Sequence, residues 1–199
     1  MRLANEHKTP LWPVARGKNL GYGTAAPRLP GTVVLDLGRM NKILELDPTL
    51  AYCVVEPGVG YFDLYEAIQR DKLPLWLSVP GNAWGSVMGN TLEHGIGYTS
   101  YGLHARNVCG VEAVLPDGDV VRTGMGAMKD NPAWHLFPMG YGPTWDLAFT
   151  QSNFGVVTKL GFWLMPKPPA FKPFMVRHGE MADVAKIVDA MRPFRMNNL

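Results

Sequence analysis

The residues best placed for chemistry in this 199-residue sequence lie in one short loop. It runs Arg16-Gly17-Lys18-Asn19-Leu20-Gly21-Tyr22-Gly23 and follows the apolar run that ends Pro13-Val14-Ala15. Successive backbone N–H groups in such a loop form an anion-binding concavity, and glycine lets the backbone approach a phosphate closely. The loop therefore reads as a pyrophosphate cradle, or as an ordinary glycine-rich turn with two solvated cations. Two nucleotide motifs are excluded. A P-loop needs a glycine where Trp12 stands and a Ser or Thr where Asn19 stands. Gly21-Tyr22-Gly23-Thr24-Ala25-Ala26 fits G-x-G-x-x-A, but that fingerprint opens a helix, and Pro27 and Pro30 follow it. A dinucleotide held here is held through backbone amides in a setting other than the doubly wound one.

A second informative block spans residues 78–102, Ser-Val-Pro-Gly-Asn-Ala-Trp-Gly-Ser-Val-Met-Gly-Asn-Thr-Leu-Glu-His-Gly-Ile-Gly-Tyr-Thr-Ser-Tyr-Gly. It is glycine-rich and aromatic, with little helix or strand pattern. Long loops inside compact domains usually carry function. Asn90 and Glu93 could equally be ordinary loop hydrogen-bonders, and His94 and His104 structural or surface residues. A third glycine sits in Phe154-Gly155-Val156-Val157-Thr158.

The elements that must position these loops follow from patterning. Residues 2–8 read as the tail of a helix whose beginning is absent, which suggests a piece of a longer protein. Strands are expected at 9–14, 32–37, 43–47, 51–56 and 73–77, with the third and fourth joined by a turn at Pro48-Thr49. Tyr61, Leu64, Tyr65 and Ile68 fall at helical spacing and predict a core-facing helix behind Gly60. Pro116-Asp117-Gly118 predicts a hairpin between 111–115 and 120–123. Residues 124–142 read as loop, 143–153 as a short helix closed by Gly155, and 156–159 and 161–165 as strand. Lys167-Pro168-Pro169 reads as a boundary. Beyond it a strand is expected at 171–176, and Met181, Val184, Ile187, Val188 and Met191 mark an amphipathic helix.

Composition narrows the class. Hydrophobic residues make up 47% and charged residues 18%, which describes a globular core. A net charge of +2 gives no reason to invoke nucleic acid, and no apolar run is long enough to span a membrane. Cys53 and Cys109 suggest neither a disulfide framework nor a zinc site, so no metal is expected. Residues 2–8 are too polar for a signal peptide, and a reducing, cytoplasmic location is the expectation.

Taken together, the loops resemble the flavin-binding domain of the vanillyl-alcohol oxidase and p-cresol methylhydroxylase family, in its phenol-oxidising, eugenol oxidase-like branch. The stretches that carry the likeness are Arg16 to Gly23, Val55-Glu56-Pro57-Gly58-Val59, and Met88-Gly89-Asn90 through Gly95-Ile96-Gly97-Tyr98-Thr99. Arg122-Thr123-Gly124-Met125-Gly126, Ser152-Asn153-Phe154-Gly155 and Gly161-Phe162-Trp163-Leu164-Met165-Pro166 complete the set. The resemblance implies an α+β fold of two α/β subdomains holding an extended FAD. It implies an FAD-binding domain over 1–166 lacking its N-terminal part, and the beginning of a substrate-capping domain over 167–199. It further implies that Ala15, Arg16, Gly17, Lys18, Asn19, Leu20, Gly21 and Tyr22 cradle the pyrophosphate. Pro80, Gly81, Gly85, Ser86, Asn90, Glu93, Gly95, Gly97 and Tyr98 would line the flavin and the rest of the dinucleotide, and Gly155, Val156 and Val157 would add backbone contacts.

The chemistry the family implies is hydride removal from the benzylic carbon of a 4-substituted phenol, giving a quinone methide. Tyr22 matches a family ligand of the substrate phenolate and is the candidate catalytic residue. Where vanillyl-alcohol-oxidising members carry an aspartate beside the flavin, this sequence has Gly81, so no carboxylate base is expected there. A cytochrome c subunit or molecular oxygen is the implied electron acceptor, and the full-length form is expected to be a homo-oligomer. Two other readings compete: a hydroxy-acid or lactone dehydrogenase on the same fold, and a truncated, non-catalytic scaffold that binds the nucleotide or nothing.

Overall fold

The structure is a computed structural model, which describes residues 1–19, 21, 25–137, 143–177 and 179–197. The chain divides into two units, Met1–Lys167 and Pro168–Leu199.

The first unit begins with a single helical turn, α1 (Arg2–Glu6), followed by β1 (Leu11–Val14). Across the glycine-rich loop comes β2 (Val33–Asp36), which pairs with β1 in parallel, Leu11 opposite Val33 and Val14 opposite Asp36. The glycine-rich loop is thus the crossover between two adjacent parallel strands. Its entry is fixed where β1 ends, and Leu37 N–H donating to the Val14 carbonyl extends the pairing one step further.

A second layer is a five-stranded antiparallel sheet. Its strands are β3 (Ile43–Asp47), β4 (Tyr52–Val55), β6 (Val108–Val114), β7 (Val120–Arg122) and β8 (Val156–Trp163), in the order β3-β4-β8-β6-β7. Both expected hairpins form. At the first turn Asp47 Oδ1 accepts from the N–H groups of Thr49 and Leu50, an Asx turn. The two segments expected at 156–159 and 161–165 are one continuous β8, followed by a separate two-residue strand β9 (Met165–Pro166). Gly161 lets β8 run on, because a Cβ there would lie 2.2 Å from the Cys109 carbonyl oxygen of the neighbouring strand. β9 pairs with β5 (Leu75–Trp76).

Helix α2 (Tyr61–Arg70) packs on this sheet. Tyr61, Leu64, Ala67 and Ile68 are buried, while Tyr65 is half exposed, so the core stripe runs through Ala67 in place of the expected Tyr65. The spacing explains the exchange: 64, 67 and 68 complete one stripe, and 65 lies a quarter-turn around. Leu64, Ile68, Val111 and Leu160 are all at or below 1% exposure, and each contributes roughly 1.5–3 kcal/mol by burial.

The 78–102 block contains a helix that patterning missed, α3 (Val87–Leu92). Short irregular turns replace the helix expected over 143–153, with a single 3-10 turn at Asp146–Phe149. In the second unit the strand expected at 171–176 is absent, and those residues are irregular and exposed. The amphipathic segment forms as expected, a 3-10 turn leading into α4 (Val184–Met196).

Candidate FAD-binding cleft

Three segments distant in sequence meet in one cleft of about 560 Å³, within the usual size of a small-molecule or cofactor site. The first wall is the loop leaving β1, residues 12–19. The second is α3 with its flanks, residues 82–96. The third is the segment 149–157 that leads into β8.

Hydrogen bonds explain why these walls meet. Ser86 caps α3: its Oγ accepts from Gly89 N–H at 2.9 Å and donates to the Pro57 carbonyl at 2.6 Å, tying the helix start to the turn after β4. Gly89 then faces the first loop, where a Cβ would sit 3.5 Å from that of Ala15. Asn82 Nδ2 donates to the Lys18 carbonyl at 3.2 Å, a second tie between these two walls. The third wall is joined to the second by Gln151 N–H donating to the Leu92 carbonyl, and by a 3.0 Å contact of His94 Nε2 with Thr150 Oγ1.

The expected site residues divide clearly. Ala15, Arg16, Gly17, Lys18 and Asn19, then Gly85, Ser86, Asn90, Glu93 and Gly95, and finally Gly155, Val156 and Val157 all line the cleft. Pro80, Gly81, Gly97 and Tyr98 do not: Tyr98 is 88% exposed, and Gly97 is buried against Ser78 and His104. Gly21 is described and lies outside the lining. Leu20 and Tyr22 lie outside the described residues. Trp12, Asn82, Met88, Ile96 and Phe149 line the cleft as well, although patterning singled out none of them for it. Ile96 lay within the quoted Gly95-Ile96-Gly97 stretch, and Trp12 showed only as part of the apolar run before the first loop.

The charges have separate assignments. Arg16 Nη1 donates to Asp63 Oδ2 at 2.5 Å and to the Gly58 carbonyl at 3.2 Å. Its backbone lines the cleft while its guanidinium holds the start of α2. Lys18 is exposed and forms no ion pair among the described residues, which leaves its ammonium available to an anion in the cleft.

Behind the wall lies a buried polar cluster. Asn90 Oδ1 is 2.6 Å from His104 Nδ1 and 3.0 Å from the Tyr61 hydroxyl, and His104 Nε2 is 3.1 Å from Ser78 Oγ. Burial pulls His104 down to about 4, so its ring is neutral at pH 7. Burial also pushes the Tyr61 phenol well above its ordinary value. No group of metal-ligating side chains occurs among the described residues.

The comparisons with known proteins agree with this geometry. The FAD binding domain family matches residues 1–124. The chain belongs to that family. This FAD-binding domain is 51% identical over 199 residues to the 4-cresol dehydrogenase (hydroxylating) flavoprotein subunit of Pseudomonas putida, covering all of this chain and 38% of the relative. It matches the crystal structure of p-cresol methylhydroxylase with substrate bound at a TM-score of 0.95 and 51% identity, over 98% of this chain and 38% of that one. It matches the 4-ethylphenol oxidase of Gulosibacter chungangensis, in complex with isoeugenol, at a TM-score of 0.90 and 46% identity, over 97% of this chain and 37% of that one. The chain thus spans well under half the length of these relatives. The α+β fold and FAD as the cofactor follow.

The cleft fits that cofactor. Glycines stand in all three walls (Gly17; Gly85, Gly89 and Gly95; Gly155), with Gly17 in the left-handed region at φ 63° where the first loop turns. Lys18, with no ion pair among the described residues, stands at the loop, and Val156, Val157 and Phe149 form an apolar part of the lining.

Proposed function

We propose that this domain is the cofactor-holding part of a flavoenzyme that oxidises 4-substituted phenols. The observation that carries the reading is the meeting of three glycine-bearing walls in one cleft, in a chain half identical to a 4-cresol dehydrogenase subunit. FAD supplies a two-electron acceptor for hydride. The substrate reacts as its phenolate: the benzylic C–H bond breaks, the hydride leaves with its electron pair, and the remaining carbon framework becomes a quinone methide. Water added to that product gives a 4-hydroxybenzyl alcohol.

A phenol titrates near ~10, so ionising it at pH 7 costs roughly 4 kcal/mol at about 1.36 kcal/mol per unit. Two or three charge-assisted hydrogen bonds of roughly 1.5–3 kcal/mol each offset that. Tyr22 is proposed as one such donor. The backbone of residues 15–19 and the Lys18 ammonium are proposed to hold the pyrophosphate, and Val156 and Val157 to pack on the ring system. Electrons pass onward to a companion cytochrome subunit or to oxygen, since one matched relative is named a dehydrogenase subunit and another an oxidase. A homo-oligomeric full-length protein completes the proposal.

Tyr22→Phe in the full-length protein tests the reading. The variant keeps the aromatic wall and removes one donor, so kcat/KM on a 4-alkylphenol should fall about ten- to a hundredfold with FAD content unchanged. Unchanged kcat/KM at full flavin loading would remove Tyr22 from the site, and absence of any turnover of 4-alkylphenols by the wild type would remove the substrate class.

A further inference from the structure

Asn90 stands between the cleft and the buried cluster, and both faces of its side chain are accounted for. Its Oδ1 lies at the corner of a triangle, 2.6 Å from His104 Nδ1 and 3.0 Å from the Tyr61 oxygen, while those two atoms are 3.2 Å apart. An amide oxygen has two lone pairs. Oδ1 in this corner can accept from both neighbours at once. Tyr61 O–H donates to Oδ1, and in the tautomer protonated at Nδ1 His104 Nδ1–H donates there too while Nε2 accepts from Ser78 O–H. Neutral imidazole carries one donor and one acceptor, which is what this arrangement requires.

The amide is packed closely against the loop that follows α3. A Cβ on Gly95 would lie 2.1 Å from Nδ2 and 2.2 Å from Oδ1, so the amide rests on the bare Gly95 backbone. Gly95 N–H in turn donates to the Asn90 carbonyl at 2.7 Å. On the far side, His104 is 0% and Tyr61 2% exposed, so neither donor can turn to water.

We propose that Asn90 presents its Nδ2–H2 group to FAD as a hydrogen-bond donor, locked in that orientation by the buried Tyr61, His104 and Ser78, with His104 acting as a positioning residue. The inference rests on the FAD reading of the cleft. FAD carries both donors and acceptors, and a fixed amide donor here selects one of its acceptors, a ring carbonyl or a phosphoryl oxygen. A free asparagine presents either end, whereas here the buried donors consume the oxygen and leave only the nitrogen. His104 does not line the cleft. It acts through Asn90.

The test uses the full-length protein and its apoprotein. Asn90→Asp keeps two accepting lone pairs for Tyr61 and His104 but replaces the donor facing the cleft by an acceptor. The apoprotein Tm should stay within about 2 °C of wild type, while the Kd for FAD rises at least about tenfold. His104→Leu should weaken FAD binding without touching the cofactor. His104→Asn, whose Nδ2 reaches the former Nδ1 position, should restore most of that loss. Nitrogen-15 NMR of labelled histidine in the apoprotein should show His104 protonated at Nδ1 and bare at Nε2. Wild-type FAD affinity in Asn90→Asp, or a bare Nδ1, would overturn the proposal. Failure of the wild type to bind FAD would instead defeat the cofactor reading, and the ring-nitrogen shifts would still decide the amide's orientation.

Discussion

Arg16 Nη1 sits 2.5 Å from Asp63 Oδ2, so a cation from the cleft-lining loop is committed to the first turn of α2. Asp63 holds it while also accepting from Gly60 N–H at 2.7 Å. The cleft-lining loop is thereby tied to the N-terminus of a core-packed helix, and the neighbouring Lys18 forms no ion pair among the described residues.

The two cations should therefore behave differently. Arg16→Met should lower stability by about 1 kcal/mol, a value at the low end for charge-assisted hydrogen bonds because both side chains are partly solvated. Lys18→Met should leave stability unchanged. It should weaken FAD binding severalfold at low salt and flatten its salt dependence, as an exposed charge is screened beyond about 8 Å at physiological ionic strength. Urea unfolding and FAD titrations at two salt concentrations separate the cases.

Gly58 should tolerate no side chain. A Cβ there would lie 2.4 Å from the Gly38 carbonyl oxygen and 2.7 Å from that of Met40, both backbone atoms that cannot rotate aside. Gly58→Ala should cost about 1–3 kcal/mol, the range for overpacking. Gly81→Ala, with open space at its Cβ, is the matched control and should be within about 0.5 kcal/mol of wild type.

Ser86→Ala should open the second wall. It removes the α3 cap and leaves the Pro57 carbonyl without its donor. A lost cap costs about 1 kcal/mol and a buried unsatisfied acceptor a further 1–3 kcal/mol. Ser86→Thr keeps both bonds in principle and should recover part of the loss. Amide exchange over residues 87–92 is the direct measurement.

Acid should act on Glu112 and Asp146 in opposite senses. Burial alone would raise Glu112, but hydrogen bonds from Arg122, Lys159 and Thr158 outweigh it and hold its carboxyl below the ordinary range. The stabilisation it provides is full above the unfolded value near ~4.3 and is lost as pH falls through its lower folded value. Asp146 is raised by burial, only partly offset by the Thr123 hydroxyl donating to it, and its Oδ2 has no partner among the described residues. Its charge destabilises the fold at neutral pH, and that penalty shrinks as pH falls toward ~3.9. Glu112→Gln should cost about 2 kcal/mol at pH 7, less than a fully buried pair because Arg122 is half exposed, and the cost should vanish in acid. Asp146→Asn should remove the opposite slope. Unfolding curves between pH 3 and 8 check both signs.

Much of this protein is written locally. The Asx turn at Asp47, the Pro116-Asp117-Gly118 hairpin and the Tyr61–Ile68 stripe each depend on residues a few positions apart, so they are legible in the chain alone. The glycine-rich segments are legible for the same reason, since a run of small residues declares close backbone approach wherever it lies. Tertiary structure alone decided the partners. Six residues at 87–92 are too few to show a period, and α3 exists because Ser86 caps it and Pro57 holds that cap. Residues 171–176 had the composition of a strand, yet a strand needs a neighbour to pair with, which composition does not supply. The same holds within the cleft. Arg16 and Lys18 look alike in sequence, as do Asn82 and Asn90, and His94 and His104. Which cation grips Asp63, which asparagine meets the buried tyrosine and histidine and which histidine is itself buried depend on contacts 14 to 47 residues away, and these exist only once the core has closed.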